Sequence, residues 1–262
     1  MTTEVLKLEV KEGLAMLTLA NPDKNRLNRA VLDGLRAALP RIGQDDVRAV
    51  LIKGEGPVFS FGADVKELFV DSSRQDLSRL LVEYLDFIGA VEALPKPTIA
   101  AVHGVCSSGG LELALAFDYV WAAAGTKIGF METTLAIPPL AGGVQRIAAR
   151  AGTARAMEIA SAGRMYDAEA FERWNIVNRV VPAESLHAEA EAFALKLAAG
   201  PTRAFAAVKS LLRAYERTAV LETDKITVAT VMPLMDSNDA VAAVTALMSA
   251  GPKRGPVTFT GA

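Results

Sequence analysis

Among 262 residues there is a single cysteine, Cys106, so no disulfide can form within the chain. Histidine is almost as scarce, with only His103 and His187, which leaves a zinc site of the usual Cys/His kind without ligands; no metal site is expected. Aromatic residues make up 6% of the chain against 51% hydrophobic residues overall, so Ala, Leu and Val carry the apolar content. Small apolar residues of that kind suit close helix packing and a subunit interface. Charge of neither sign is in large excess: the formal net charge is −2 and the pI about 5.8. The most basic stretch is the pair Lys253-Arg254, too short for the electrostatic footprint of a nucleic-acid binder. Long apolar runs are missing as well. The richest, residues 111–124, is interrupted by Glu112 and Asp118, so none reaches the length of a membrane span. The first residues, Met1-Thr-Thr-Glu-Val-Leu-Lys, lack the basic-then-apolar layout of a secretory signal. The expectation is a cytoplasmic protein with no nucleic-acid and no membrane partner.

What is present reads as an α/β chain. Residues 4–10 and 14–20 contain alternating apolar residues around Lys11-Glu12-Gly13 and predict a hairpin. Asn28 can cap a helix running to about Leu39, with Val31, Leu32, Leu35 and Leu39 on one face. Residues 47–53 and 97–102 read as short buried strands, each followed by a glycine-containing loop, and Leu111 to Phe117 as the start of a helix. Strand, loop and helix in repetition argue for α/β architecture. The last third changes character. Residues 184–199, 202–218, 219–235 and 237–250 all carry helical patterns, and Phe205, Val208, Leu212 and Tyr215 share one face. The predicted organisation is therefore a core over residues 1–195 and a helical segment over 196–262.

Two loops draw attention as chemistry. Phe59-Ser-Phe-Gly-Ala-Asp-Val-Lys66 follows one strand, and Gly104-Val-Cys-Ser-Ser-Gly-Gly-Leu-Glu-Leu113 follows another. Small residues at a strand exit let backbone N–H groups approach a ligand closely. Two amides converging on one oxygen make an oxyanion hole, in which one donor is typically worth roughly 10²–10³ in rate. Gly109-Gly110 alone could equally be a tight turn. Glu112 interrupts the apolar run Leu111-Glu-Leu-Ala-Leu-Ala-Phe117; burial there would raise its pKa toward the range useful for proton transfer. A first-turn acid facing the helix dipole is the plainer explanation of its charge. Glu132 by itself reads as a loop carboxylate, and nothing in the spacing brings it to Glu112. Neither a dinucleotide-binding nor a Walker-type glycine loop is present. Ser107 and Ser108 do not fit a nucleophile elbow, because position 105 is Val. His103 reads as a packed histidine.

Taken together, these segments resemble the crotonase (enoyl-CoA hydratase/isomerase) superfamily. Residues 59–67 resemble its Phe-(Ser/Ala)-Ala-Gly-Ala-Asp-(Ile/Leu)-Lys-Glu loop, and residues 104–114 with Asp118 its Gly-rich loop followed by Glu-Leu-Ala and Asp. Glu132, Pro139 and Gly142-Gly-Val-Gln-Arg-Ile147, then Val177-Asn-Arg-Val-Val-Pro182 and the closing Pro256-Val-Thr-Phe-Thr-Gly, continue the match in order and spacing. The resemblance implies a spiral of ββα units with a C-terminal helical segment that covers the site and builds a homotrimer or homohexamer. It implies an acyl-CoA substrate, with coenzyme A entering as part of that substrate and no metal or redox cofactor. It implies that the amides of Ala63 and Gly109 hold the thioester oxygen and stabilise an enolate. Asp64, Val65 and Lys66 would line the CoA site beside Arg26, Leu27 and Phe61, with Lys66 meeting a phosphate. Glu112 and Glu132 fall where the hydratases carry two catalytic glutamates, which favours hydration of a trans-2-enoyl-CoA. Isomerisation, thioester hydrolysis, or a non-catalytic acyl-CoA- or RNA-binding scaffold remain alternatives. The sequence departs from the family pattern at Phe61, at Ser108 in place of a glycine, at Met131 in place of a proline, and at Trp174-Asn175.

Overall fold

The computed structural model describes residues 4–250 and 257–261. Lys253-Arg254 and Pro256 lie outside the described residues. The expected hairpin forms: β1 (Leu6–Lys11) and β2 (Leu14–Leu19) pair antiparallel from Leu6↔Leu19 to Lys11↔Leu14. Its two loop residues, Glu12 and Gly13, both have positive φ, 51° and 76°, the turn geometry whose twist matches that of paired strands. Asn28 caps α1 (Arg29–Ile42), accepting from the Val31 amide at 3.0 Å. The helix continues past the expected end at Leu39 and through Pro40, because Ile42 still packs into the core.

Beyond the hairpin the large sheet is parallel. β3 (Ala49–Gly54) pairs with β2, β4 (Thr98–Val102) with β3, β6 (Tyr119–Ala123) with β4, and β9 (Arg179–Val181) with β6. A smaller sheet contains β5 (Val105–Ser107), β7 (Lys127–Gly129) and β8 (Met165–Asp167), and a bridge from Ser60 to Cys106 ties the loop after β3 to it. Each turn of the chain thus places one strand in the large sheet and the next segment in the small one: β3 then Ser60, β4 then β5, β6 then β7. The turns are joined by α2 (Arg74–Ala93) and α3 (Gly109–Leu115); α4 (Gly143–Ala151), α5 (Thr153–Ala162) and α6 (Ala168–Arg173) follow β7. This is the expected spiral of ββα units.

Parallel strands buried on both faces read as continuous apolar runs, and β4 is buried at all five positions. Its side chains alternate between two cores. Ala100 and Val102 face α1–α3, whereas Ile99 and Ala101 face α7 (Leu186–Ala198) together with Trp121 and Leu14. Helix α7 runs unbroken across residues 195 and 196 and buries Leu186, Ala190, Ala194, Leu197 and Ala198.

The C-terminal region contains α8 (Thr202–Thr218), α9 (Val220–Met235) and α10 (Asn238–Ala250), within one residue of their expected ranges. Along the apolar face expected on α8, Phe205 packs against the second core, whereas Val208, Leu212 and Tyr215 are each more than half exposed. The buried residue of α8 is Lys209. Its ammonium group donates to Asp118 Oδ2 at 2.8 Å, and the same oxygen accepts from the Thr98 amide and hydroxyl at 2.9 Å. A charged anchor therefore ties α8 to the start of β4 in addition to the Phe205 contact.

Gly104 has φ +62°, and a Cβ there would be driven into the carbonyl of Pro57. This contact lets β5 lie against the loop after β3. Gly104→Ala is expected to cost ~2–4 kcal/mol through strain and displacement of that loop, read as a lower urea midpoint at unchanged slope. A cost below ~0.5 kcal/mol would show that the close approach is dispensable.

Candidate active site

The two glycine-containing loops meet because the backbone sews them together. Phe59 and Ser60 donate to the carbonyls of His103 and Val105 at 2.9 and 3.1 Å, and Ser107 donates back to Ser60 at 3.1 Å. On the other side, Leu27 donates to Gly62 at 2.8 Å and Asp64 donates to Leu27 at 3.0 Å. Gly62 has φ +86°, and a Cβ there would lie 2.8 Å from the Ser107 carbonyl oxygen and 3.2 Å from the Gly109 nitrogen. Only glycine permits that approach.

One consequence concerns the next amides along each loop. A Cβ on Gly109 would sit 3.6 Å from the Ala63 nitrogen, so the two N–H groups are neighbours. Among the described residues neither donates to any acceptor. Helix α3 begins at Gly109, two residues before the expected Leu111, so the Gly109 amide is one of the free donors every helix start leaves. Both residues line one cavity of about 500 Å³. Paired donors opening on a shared space can hold an oxygen on which negative charge develops.

Glu112 and Glu132 line the same cavity, each no more than 9% exposed. Glu112 Oε1 accepts from the amides of Ala141 and Gly143 at 2.7 and 3.1 Å; its Oε2 accepts from no described residue. Burial pushes the Glu112 carboxyl up to about 7; the two amides oppose the rise and the charge of Glu132 adds to it. Burial also raises Glu132, opposed by its own amide, the Ser108 hydroxyl and the Met131 amide. Glu132 opens a short 3₁₀ turn, Glu132–Leu135, and Ser108 Oγ donates to its Oε2 at 3.1 Å.

Of the other residues predicted from sequence, Arg26, Leu27, Phe61 and Val65 line the cavity. The Phe61 ring lies 4.9 Å from the Lys24 ammonium group and 5.7 Å from the Arg26 guanidinium. Asp64 and Lys66 do not line it. Asp64 Oδ1 caps the π-helical turn Lys66–Val70 by accepting from the Glu67 amide at 3.0 Å, and Lys66 is 83% exposed beside Asp71 at 3.3 Å. Ser107 donates to the Phe61 carbonyl. His103 stays away from the cavity, bonded to the Gly56 carbonyl and packed edge-on against His187. Cys106 is fully buried, and burial pushes its thiol well up. Among the described residues no cluster of three His, Cys, Asp or Glu could hold a metal.

Several lining residues lie outside those the sequence singled out. Helix α2 supplies an apolar wall of Leu77, Leu80 and Leu81, and Tyr84, whose hydroxyl donates to the Gly109 carbonyl at 2.8 Å. Leu80, Tyr84, Phe87, Ile88 and Val91 recur at helical spacing, a signal that identifies the helix though not what it faces. The grip of Ala141 and Gly143 on Glu112 follows from Gly142, which turns the chain at φ +83°.

An α/β spiral that brings two free amides and two buried glutamates to one cavity belongs to the crotonase fold. A model of the enoyl-CoA hydratase/isomerase family matches residues 9–244. A Bacillus subtilis protein named "Probable enoyl-CoA hydratase" is 39% identical over 159 residues, 60% of this chain and 62% of that protein. The Mycobacterium tuberculosis protein named "Probable enoyl-CoA hydratase EchA17" is 35% identical over 201 residues, 76% of each chain. Among solved structures, an enoyl-CoA hydratase from Bacillus anthracis superposes with a TM-score of 0.91 at 28% identity, covering 98% of this chain and all of that one. Another from Geobacillus kaustophilus gives 0.93 at 24% identity, covering 100% and 98%. The chain belongs to the enoyl-CoA hydratase/isomerase family of the crotonase superfamily.

The Glu112 carboxyl, raised from its ordinary 4.5, makes folding prefer the protonated form. Stability is full below about 4.5 and falls as pH rises toward about 7. At about 1.4 kcal/mol per pH unit this is worth up to ~3 kcal/mol. Gln can keep both bonds from Ala141 and Gly143. Glu112→Gln is therefore expected to raise Tm over the wild type at pH 8 and to leave it nearly unchanged at pH 4.5. An equal difference at both pH values would rule out a strained carboxylate.

Proposed function

We propose that the chain is an enoyl-CoA hydratase, adding water reversibly and syn across C2–C3 of a trans-2-enoyl-CoA to give the 3-hydroxyacyl-CoA. One observation carries this reading: two unpartnered amides share a cavity with two buried carboxylates of raised pKa. The Ala63 and Gly109 N–H groups would receive the thioester oxygen, whose charge grows as water attacks C3 and an enolate forms. Glu112, fixed through Oε1, would use its free Oε2 to take a proton from that water. Glu132 would exchange a proton with C2 as the enolate collapses. A carboxyl near 7 suits proton transfer at neutral pH because it gives up and regains a proton with little driving force.

The wall from α2 supports an apolar acyl group. Phe61 and Arg26 at the mouth, with Val65 beside them, support contact with coenzyme A. The exposed Lys66–Asp71 pair is weak, so Lys66 can exchange its carboxylate for a phosphate; Asp64 holds that loop. Coenzyme A enters as part of the substrate, and no metal or redox cofactor is required by this chemistry. The same reading includes a homotrimer or homohexamer, supported by the exposed apolar faces of α8, α9 and α10, and a cytoplasmic setting, which fits the single, buried thiol.

Incubation with crotonyl-CoA is expected to remove the absorbance of the conjugated thioester without releasing free CoA. Glu112→Gln and Glu132→Gln are each expected to lower kcat by about 10²–10⁴. Conversion of a 3-enoyl-CoA with crotonyl-CoA left intact would make the chain an isomerase, and release of free CoA a thioester hydrolase. Full activity in either variant would remove that glutamate from the chemistry.

A further inference from the structure

Ser108 occupies a backbone conformation, φ 53° and ψ −127°, that favours glycine. Three bonds hold it there. Its amide donates to the Gly129 carbonyl at 3.0 Å, and its carbonyl accepts from the amides of Leu111 and Glu112 at 2.9 and 3.0 Å. A glycine would make the same three bonds without strain, so the side chain is what the strained residue adds. That side chain reaches the cavity: Oγ donates to Glu132 Oε2 at 3.1 Å and lies 3.4 Å from the Met131 amide. No other side chain among the described residues donates to the Glu132 carboxylate.

We propose that Ser108 is a positioning residue for Glu132, its hydroxyl turning and holding the carboxylate over the substrate carbon with which it exchanges a proton. The proposal rests on the proton-exchange role given to Glu132 above. One residue would then serve both halves of the site, since Ser108 directly precedes the Gly109 amide and its carbonyl anchors the backbone of Glu112. The hydroxyl also favours the ionised carboxylate, against burial. The titratable groups of neighbouring elements that line the cavity are Glu112 of α3, Tyr84 of α2, Arg26, and Lys127 of β7, which is paired with Asp167 of β8. Helix α5, packed on the 3₁₀ turn, carries Arg155 and Glu158 paired with each other. None of these donates a hydrogen bond to Glu132, so no other side chain replaces the hydroxyl, and the backbone amides of Glu132 and Met131 are left as its donors.

The test is the dehydration direction with 3-hydroxybutyryl-CoA, in which Glu132 removes the C2 proton and must be ionised. The wild type, Ser108→Ala, Ser108→Gly, Glu132→Gln and the double variant Ser108→Ala/Glu132→Gln are compared across pH. Both Ser108 variants are expected to lose about tenfold in kcat at neutral pH, with KM within about twofold. The acid limb of kcat/KM should move up by about one pH unit, because a carboxylate without its donor needs a higher pH to ionise. In the Glu132→Gln background, Ser108→Ala should add less than about twofold. Ser108→Gly relieves the backbone and should melt no lower than the wild type. If strain relief were all that mattered, Ser108→Gly would match or exceed the wild-type rate with an unmoved acid limb, and that result overturns the proposal. A wild-type enzyme that converts the substrate with no dependence on Glu132 overturns the assignment of Glu132 instead, and the positioning role with it.

Discussion

Everything in the site depends on two backbone N–H groups that have no partner among the described residues. A backbone amide held without an acceptor is costly. Among the described residues two stand side by side on one cavity, at half-buried Ala63 and buried Gly109. The surrounding ladder compensates. The loop after β3 is bonded to His103 and Val105 on one side and to Leu27 on the other, so neither amide can turn away to find an acceptor without breaking several bonds. Gly62 is the hinge of this arrangement, since any side chain there would meet the Ser107 carbonyl. In the proposed reaction such a pair would favour an oxygen more negative than a ground-state carbonyl.

The carboxylates express the complementary constraint. Burial disfavours their charge and backbone donors restore part of it. Glu112 receives two amides on one oxygen and keeps the other open; Glu132 receives a hydroxyl. The charge of Glu132 adds to the rise of the Glu112 carboxyl. The apolar wall of α2 keeps the dielectric low, so both effects remain strong.

Much of this was legible in the sequence, and the reasons differ by element. The hairpin, α1 and the helices after 200 follow from periodicity, caps and glycine placement, all of which are local. The two loops could be located because small residues at strand exits are themselves a local signal, and the family resemblance linked them. What remained hidden was long-range. The union of Glu112 and Glu132, which the family resemblance implied but the spacing did not, is made by topology, as are the grip of Ala141 and Gly143 on Glu112 and the approach of Tyr84 to Gly109. Asp64 and Lys66, expected to line the CoA site, are not among the residues lining the cavity, and Asp64 instead accepts from the Glu67 amide. The apolar stripe of α8 gave the right helix; what it could not show is that Lys209 anchors that helix through Asp118 while Val208, Leu212 and Tyr215 stay exposed.

In the proposed reaction the Ala63 and Gly109 amides would polarise a thioester carbonyl. Raman difference spectroscopy of a bound, carbonyl-labelled enoyl-CoA reads that polarisation directly. The carbonyl stretch is expected at lower frequency, with intensity moving into the conjugated C=C mode, relative to the free thioester in water. A bound carbonyl vibrating at its solution frequency would contradict it.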